Sequence, residues 1–325
     1  MMKRSLLAAS APTVAVEIAP GQVTAISMAI HGDTPLVGAC ASELLPAGAI
    51  VPSLTGTNMA DRAPVARALS RAFERMGLRP HRVAVVIPDS VAKVSIIRFD
   101  KVPPGAGDLD QLIRWQVRKA APFRIEDAQV TFARGAAVDG GGREFVVAVA
   151  RRDVILEYEQ VALAAGATPG LVDLATFDLI NVVLAAGHAA AGDWLLVNVT
   201  PDYSTMGIMR GADLIFYRNR IEEGDGHLSD LVHQTAMYYE DRLSGKGFER
   251  VLLSGAMDAP GTGGAAVARG ADLLRRNLEE RLGVNVETID VRRLASFADR
   301  ISVDAATSAS VAPLIGVLLR DRLSG

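Results

Sequence analysis

The chain has 325 residues, half of them hydrophobic and 5% aromatic, which predicts about two domains with a core of mainly small aliphatic side chains. Its net charge of −3 gives no electrostatic case for binding nucleic acid or an anionic membrane. The single cysteine, Cys40, excludes an intrachain disulfide and a cysteine-based metal site, and it favours a reducing cytoplasm. The Ala-rich stretch 182–192 is too short and too interrupted to span a bilayer, so we expect no direct membrane insertion.

The first predicted element is a hairpin over residues 13–30, because two apolar strands flank a Pro-Gly turn. A helix is predicted over residues 61–77, where apolar residues recur on one face and Gly77 suits the position after the last turn. Short strands are predicted around this helix, at residues 35–40, 82–87 and 91–99.

Residues 101–150 are predicted to be an insertion into the first domain. They begin with a loop and continue as helix 108–120, which Pro122 ends. Strands near 127–134 and 144–150 follow. A unit of this size has too little core to fold alone, so we expect it to pack on its host domain.

The second half of the chain repeats the plan of the first. Residues 151–187 are predicted as helix, strand and helix, and residues 188–192 as a linker. The elements predicted after the linker are strands 194–199, 203–210, 213–219, 250–254 and 284–289 and helices 226–243, 264–282 and 309–322. Alternating strands and helices favour an α/β fold, and two hairpins that are each followed by helices favour two related halves.

Residues 14–30 and 194–217 are the two hairpins of this repeat. Each consists of an apolar strand, a tight turn and a second strand, and the first strands end in the polar residues Glu17 and Asn198. A doubled hairpin of this kind, with a carboxylate beside the turn, is typical of actin-like ATPases, in which each domain offers one phosphate-binding hairpin. The pattern therefore predicts a nucleotide-enzyme fold.

Longer segments resemble the PilM family, the actin-like cytoplasmic proteins of type IV pilus assembly. The resemblance is carried by LDQLIRWQVRKAAPFRIEDAQVTF (109–132), by the strand, helix, strand and helix run of residues 145–184, by VLLSGAMDAPG (251–261) and by RRNLEERLGVNVETIDV (275–291). It covers nearly the whole chain, and the order of the motifs is its most specific feature. The cytoplasmic actin-like part of type II secretion proteins is the next most similar class.

The resemblance implies an α/β actin-like (ribonuclease H-like) fold of two domains with a small inserted α+β subdomain. Domain I is expected to comprise residues 1–188, with residues 101–150 inserted and the C-terminal helix 309–325 packing back onto it. Domain II is expected to comprise residues 189–308.

The resemblance also implies three polar stations around ATP and its metal ion. The first, at the end of the first strand, is Glu17 in place of the usual Asp, and its side chain is one methylene longer. The second, on the connecting helix, falls at Ala175 and has no carboxylate. The third is Asn198, which is neutral and a weak ligand for a metal ion.

Phosphate-binding turns need small residues, because their backbone amides must approach the phosphates closely. The first turn keeps Gly21 but places Pro20, which has no N–H to donate, beside it. The second turn contains Pro201 and Asp202, whose carboxylate either repels phosphate or holds a displaced metal ion. The adenosine loop keeps Gly255, but Ala and Met follow it in place of glycines.

We therefore expect a pseudo-ATPase with no catalytic residue, no metal site and no bound cofactor. Its vestigial nucleotide site would consist of Glu17, Gly21, Asn198, Asp202 and Gly255. The alternative is an active ATPase or sugar-kinase-like enzyme of the same superfamily that binds ATP and Mg²⁺. That alternative stays open, because a loop not recognised in the sequence can supply a base.

The inserted region carries a candidate partner site. Trp115 and Phe123 are predicted to shape a groove for a short extended peptide, with Arg114 and Arg118 at its rim. Alternatively, these aromatic side chains fill the small core of the insertion. The resemblance implies that the peptide is the N-terminal cytoplasmic tail of a PilN-like inner-membrane protein, which would bring this cytoplasmic chain to the membrane, and it also implies self-association.

Overall fold

The computed structural model describes residues 12–31, 34–187, 192–221, 228–255 and 264–323. The strands are β1 (Val14–Ala19), β2 (Gln22–His31), β3 (Thr34–Leu44), β4 (Arg82–Ile87), β5 (Ala92–Phe99), β6 (Ala128–Val138), β7 (Gly142–Arg151), β8 (Thr168–Leu174), β9 (Asp193–Val199), β10 (Tyr203–Arg210), β11 (Asp213–Ile221), β12 (Arg250–Gly255), β13 (Val286–Thr288) and β14 (Ser296–Phe297). The α-helices are α1 (Ala63–Met76), α2 (Ala106–Val117), α3 (Arg152–Ala164), α4 (Ala175–Ala185), α5 (Leu228–Leu243), α6 (Gly264–Leu282) and α7 (Ala305–Leu323). Within these ranges, no helix is both long enough and apolar enough to cross a membrane.

Two large sheets share one plan. The first has the strand order β14-β3-β2-β1-β4-β8 and the second β11-β10-β9-β12-β13. In both, a hairpin is antiparallel (β1 with β2, β9 with β10), and its first strand also pairs in parallel with a later strand, β4 or β12. This shared order confirms that the chain is α/β and that its halves are related. Of the predicted linker, residues 188–191 lie outside the described residues.

The inserted unit has a sheet of its own, with the order β5-β7-β6, and α2 packs on it. Its core contains Ile113, Phe145 and Val147, all fully buried. The sheet begins at Ala92 and not near residue 101, because β5 pairs along its whole length with β7. An apolar strand looks the same in sequence whichever sheet it joins, so the predicted boundary missed β5.

After the second half, the chain returns to the first sheet. β14 pairs in parallel with β3 at the edge of that sheet, although its residues fall inside the range predicted for domain II. α7 then packs against α4, as the expected return of the C-terminal helix requires. One apolar core contains α4, α7 and both large sheets, and it includes Val86, Leu179, Trp194 and Ile315. The two halves therefore share a core.

The α4–α7 contact depends on a glycine. A Cβ atom on Gly316 would lie 1.9 Å from the backbone oxygen of Asp178, so the two helices must separate to admit one. We expect Gly316→Ala to lower the free energy of unfolding by about 2 kcal/mol, measured by urea denaturation. Gly107→Ala is the matched control, because Gly107 is also helical and nothing lies within 4 Å of its Cβ position. A Gly316→Ala protein as stable as the Gly107→Ala protein would contradict this close packing.

A long loop between β3 and α1 is held by one carboxylate from α3. The Glu157 side chain is buried, and its Oε2 atom accepts the backbone N–H groups of Asn58 at 2.9 Å and Met59 at 2.8 Å. The Tyr158 hydroxyl donates to Asn58 Oδ1 at 3.0 Å. These contacts tie the loop to the helix that follows the inserted subdomain.

Candidate functional site

The predicted nucleotide stations meet at one edge of the two large sheets. Glu17 lies near the end of β1 and Asn198 near the end of β9, and α4 begins at Ala175 directly after β8. The structure adds Asp89, which follows β4 in a short 3-10 turn and which sequence analysis did not identify. An acidic residue directly after a buried strand was the available signal, because the carboxyl ends of neighbouring parallel strands meet at one edge.

Asp89 is fully buried and accepts three hydrogen bonds. Its Oδ1 atom accepts the backbone N–H of Thr176 at 3.0 Å. Its Oδ2 atom accepts the hydroxyls of Thr176 at 2.5 Å and of Thr205 at 2.7 Å. Burial raises the pKa of Asp89, and these donors oppose that shift because they stabilise the charged carboxylate. Asp89 thus supplies a carboxylate at the start of α4, where Ala175 has none.

Two amide side chains extend this cluster into the second half of the molecule. Asn198 Nδ2 donates to the Thr176 hydroxyl at 3.0 Å, and Asn219 Nδ2 donates to the Thr205 hydroxyl at 2.8 Å. Each hydroxyl therefore accepts one hydrogen bond and donates one to Asp89. Asn198 uses its amide to hold a threonine of the first half.

Glu17 lies beside this cluster. Burial, and to a smaller extent the negative charge of Asp89, raise the pKa of Glu17 to about 7. At neutral pH a large fraction of this carboxyl is therefore protonated, which weakens it as the anion that organises a metal ion. Among the residues that the structure describes, no group of three or more His, Cys, Asp or Glu side chains is arranged to hold a metal ion.

The two turns have few amides free for phosphate. Gly21 adopts a φ of 82°, and Pro20 beside it has no N–H. In the second turn the Thr200 N–H donates to the Tyr203 carbonyl at 2.9 Å, and the Tyr203 N–H donates to the Thr200 hydroxyl at 3.1 Å. Among the described contacts of that turn, the backbone N–H of Asp202 has no acceptor, so it is available to a ligand. Burial raises the pKa of Asp202.

Tyr203, the first residue of β10, occupies the space between the halves. Its side chain is buried, and burial together with the charges of Asp89 and Glu17 raises the pKa of Tyr203 well above its ordinary value. Its hydroxyl therefore lies near both acids of the first half. Nearby, the rings of Phe177 on α4 and Tyr217 on β11 are 5.6 Å apart between centroids. Aromatic groups and internal hydrogen bonds therefore occupy the part of this cleft that lies beside Glu17 and Asp89.

Gly255 has a structural role at the end of β12. It adopts a φ of 101°, and a Cβ atom there would lie 1.8 Å from the carbonyl oxygen of Val199. The close approach of β12 to β9 therefore requires glycine with or without a nucleotide. The Ala and Met that follow it in the predicted adenosine loop lie outside the described residues.

A second pair of acids lies between α4 and α7. Asp178 is fully buried, and its Oδ2 atom has no hydrogen-bond partner among the described residues. Burial and the nearby charge of Asp173 raise the pKa of Asp178 well above its ordinary value. Arg320 on α7 pairs with Asp173 at 2.9 Å. Asp173 lies near the end of β8, where it is in register with Val86 of β4 and, through that strand, with Glu17 of β1. This pair is therefore close to the cluster around Asp89.

The predicted partner residues lie on the inserted subdomain, and the structure brings two of them together. Arg118 and Phe123 line a pocket of ≈ 530 Å³. The other residues that line it are Ala121, Pro122, Arg124, Ile125 and Glu126. Trp115 lies outside this lining and is 65% exposed. Arg114 also lies outside it and pairs with Asp110 at 2.7 Å.

The alternative that these aromatic side chains fill the core is therefore wrong for Trp115. The buried face of α2 consists of Leu109, Ile113 and Val117, which recur every fourth residue and leave Trp115 on the opposite side. Phe123 is half-buried and packs against that core. A larger pocket, of ≈ 810 Å³, lies at the start of β9 around Asp193, the opposite end of that strand from Asn198.

The fold and its motifs match known proteins. The family model of the type IV pilus assembly protein PilM matches residues 15–247. Among solved structures, the chain is similar to a PilM-PilN type IV pilus biogenesis complex, with a TM-score of 0.80 and 17% identity over 95% of this chain and 98% of that chain. It is also similar to a Bacteroides thetaiotaomicron protein with an actin-like ATPase fold and unknown function, with a TM-score of 0.50 and 9% identity over 94% and 95% of the two chains. No curated protein matches the chain.

These likenesses confirm the predicted actin-like α/β fold. The matched range starts in β1 and continues through the inserted subdomain to the loop after α5. It includes the two segments, residues 109–132 and 145–184, on which the resemblance chiefly rested. The chain therefore belongs to the PilM family of type IV pilus assembly proteins.

Proposed function

We propose that this chain is a cytoplasmic scaffold of type IV pilus assembly that binds the N-terminal tail of a PilN-like membrane protein and does not hydrolyse ATP. The observation that carries the first part is the similarity to the PilM-PilN complex over nearly the whole of both chains. Through that partner the chain is held at the inner membrane. Sedimentation of the purified chain measures self-association, which we also expect.

The pocket on the inserted subdomain supports a peptide ligand. Its lining combines the half-buried ring of Phe123 and the exposed Pro122 with the guanidinium of Arg118. The lining joins these apolar groups to the charges of Arg118, Arg124 and Glu126, and a mixed surface of this kind suits a short extended segment that carries both apolar and charged side chains. Trp115 lies three residues before Arg118, the first residue of the pocket lining. Its large exposed ring is an anchor of the kind that dominates binding energy at interfaces.

We expect Trp115→Ala and Phe123→Ala each to weaken binding of the partner tail by at least ~10-fold, because aromatic anchors of interfaces contribute about 2 kcal/mol or more. Fluorescence anisotropy with a labelled tail peptide measures the affinity. Leu273→Ala is the matched control, because Leu273 is 63% exposed and lies on α6 in the second half. Full affinity in both aromatic variants would exclude this surface as the binding site.

Tryptophan fluorescence gives an independent readout. The chain has two tryptophans, and Trp194 is fully buried whereas Trp115 is exposed. Because Trp194 already lies in an apolar core, a blue shift on adding the tail peptide reports burial of Trp115. We expect that shift in the parent protein and not in Trp115→Ala.

The absence of ATP hydrolysis is supported by the internal use of the polar groups in the cleft. The side-chain amide of Asn198 and the backbone amides of Thr200 and Tyr203 donate hydrogen bonds within the protein. A large fraction of the Glu17 carboxyl is protonated at neutral pH. Transfer of a phosphoryl group depends on positioned charges and amides, so their commitment elsewhere removes the basis of catalysis.

We expect the melting temperature to be unchanged by ATP and Mg²⁺. Binding at 100 times the Kd would add about 2.7 kcal/mol to the free energy of unfolding, a shift that a thermal melt detects easily. Phosphate release is measured in parallel. A raised melting temperature, together with phosphate release that Glu17→Ala abolishes, would show the alternative function, an active ATPase.

A further inference from the structure

We propose that Asp89 is the centre of a hydrogen-bonded latch that holds the two halves of the molecule closed when no nucleotide is bound. The inference deepens the proposed function and rests on it, because a chain that does not use ATP needs another means to fix its domains. The latch consists of Asp89 and Thr176 from the first half and Asn198, Thr205 and Asn219 from the second.

The direction of each hydrogen bond supports the latch. Thr176 and Thr205 both donate their hydroxyls to the same oxygen of Asp89, so each hydroxyl has a lone pair left to accept. The side-chain amides of Asn198 and Asn219 donate to those two hydroxyls. Both hydroxyls therefore donate and accept, and the two routes from the second half end on one carboxylate of the first.

Burial makes the latch costly to open. Asp89, Thr176 and Thr205 are fully buried, and Asn198 is 4% exposed. If the halves separated before water reached these groups, the Asp89 carboxylate and the donors of the network would lose their hydrogen-bond partners. Opening therefore requires water to enter the network. Aromatic side chains beside the network also join the two halves. Phe177 of the first half packs on Tyr217 of the second, and the Tyr203 side chain is buried.

The position of Asp89 in the chain extends the effect to the inserted subdomain. Asp89 and Ser90 connect β4 of the first sheet to β5 of the inserted sheet. Residues of β11 also contact β5 and β6. The second half therefore contacts both the first half and the sheet of the inserted subdomain. The latch thus fixes the first half, the second half and the inserted subdomain relative to one another.

The test is a distance measurement between the halves. Spin labels are placed at Arg67→Cys on α1 and Arg276→Cys on α6, both exposed, in the full-length Cys40→Ser protein. Double electron–electron resonance is recorded without nucleotide. We expect one narrow distance distribution in the parent protein, with any open form at or below ~10%, and no change on addition of ATP and Mg²⁺.

Variants identify the network as the cause. Asp89→Ala and Thr205→Val are each expected to broaden the distribution and to add longer distances, and Thr205→Val carries the test if Asp89→Ala fails to fold. Thr235→Val is the matched control, because the buried Thr235 hydroxyl donates to Leu231 within α5 at 2.8 Å and not across the cleft. An unchanged distribution in Thr205→Val, or a broad one in the parent that ATP and Mg²⁺ narrow, would overturn the latch.

Phosphate release and tail binding, measured on the unlabelled parent, separate this proposal from the proposed function. Failure of the latch appears as a broad distribution in a protein that still binds the tail and releases no phosphate. Failure of the proposed function appears as phosphate release or lost tail binding, whatever the width of the distribution.

Discussion

Glu17→Gln is expected to stabilise the protein by about 3 kcal/mol at pH 8 and to reduce its loss of stability between about pH 4.5 and pH 7. Burial and the charge of Asp89 raise the pKa of Glu17 from 4.5 to about 7. In that interval the folded protein keeps a proton that the unfolded chain has released, so the free energy of unfolding falls as pH rises. Each unit of pKa shift corresponds to about 1.4 kcal/mol.

Urea denaturation of both proteins at a series of pH values measures this difference. Glutamine mimics the protonated acid in size and keeps a hydrogen-bonding group, so above pH 7 it avoids the buried charge. Burial also raises the pKa of Asp173 and Asp178, and their contribution of the same sign remains in both proteins and cancels in the comparison. Glu74→Gln on the exposed face of α1 is the control and should keep the parental pH dependence. Parallel curves for the parent and Glu17→Gln would show that the Glu17 carboxyl is not buried as described.

Glu157→Ala is expected to lower the free energy of unfolding by about 3 to 4 kcal/mol. The substitution leaves the buried amides of Asn58 and Met59 without the acceptor that both now share. An unsatisfied buried donor costs about 1–3 kcal/mol, and the lost carboxylate also leaves a cavity beside α3.

Glu157→Gln separates the hydrogen bonds from the charge. Because one oxygen, Oε2, accepts both amides, the single amide oxygen of glutamine can occupy the same place, and we expect a loss of about 1 kcal/mol. Urea denaturation gives the global stability, and hydrogen exchange at Asn58 and Met59 reports whether the loop opens first. Equal stability of the Ala and Gln variants would contradict the shared acceptor.

The sequence was sufficient to predict the elements whose signals are local. Apolar strands around a Pro-Gly turn predicted the first hairpin, and Gly77 predicted the end of α1, where it adopts a left-handed φ of 68°. The repeat of that hairpin predicted the second half. The α/β class and the family followed from these patterns and from the order of the longer motifs.

Features that depend on which strands become neighbours were missed. Asp89 becomes part of the cleft because β4 pairs with β1 and because the start of α4 lies beside it, and neither contact is visible in the residues near position 89. β14 has two residues and no pattern of its own. The sequence left open whether Trp115 fills the core of the insertion or lies on a partner surface, and the structure exposes it on the face of α2 opposite the core.

Polar groups of the cleft bond to one another within the actin-like fold. The Asn198 side chain and the Thr200 hydroxyl make their hydrogen bonds inside the protein. Hydrogen-bonding groups that face inward in this way stabilise one arrangement of the two halves. A fixed arrangement of this kind would suit the scaffold role proposed above, because the partner would meet the same surface at all times.

The pairing of β14 with β3 and the packing of α7 on α4 have a practical consequence for dissecting the molecule. Residues 192–294 are joined to the first half at both ends, so no single cut yields an intact half. A fragment that stops at residue 187 would lack β14, which pairs with the edge of the first sheet, and α7, which packs on α4. It would therefore expose apolar core side chains to solvent. Excision of residues 192–294 with a short bridge would keep β14 and α7 on the first sheet, but it would uncover the core that the two halves share.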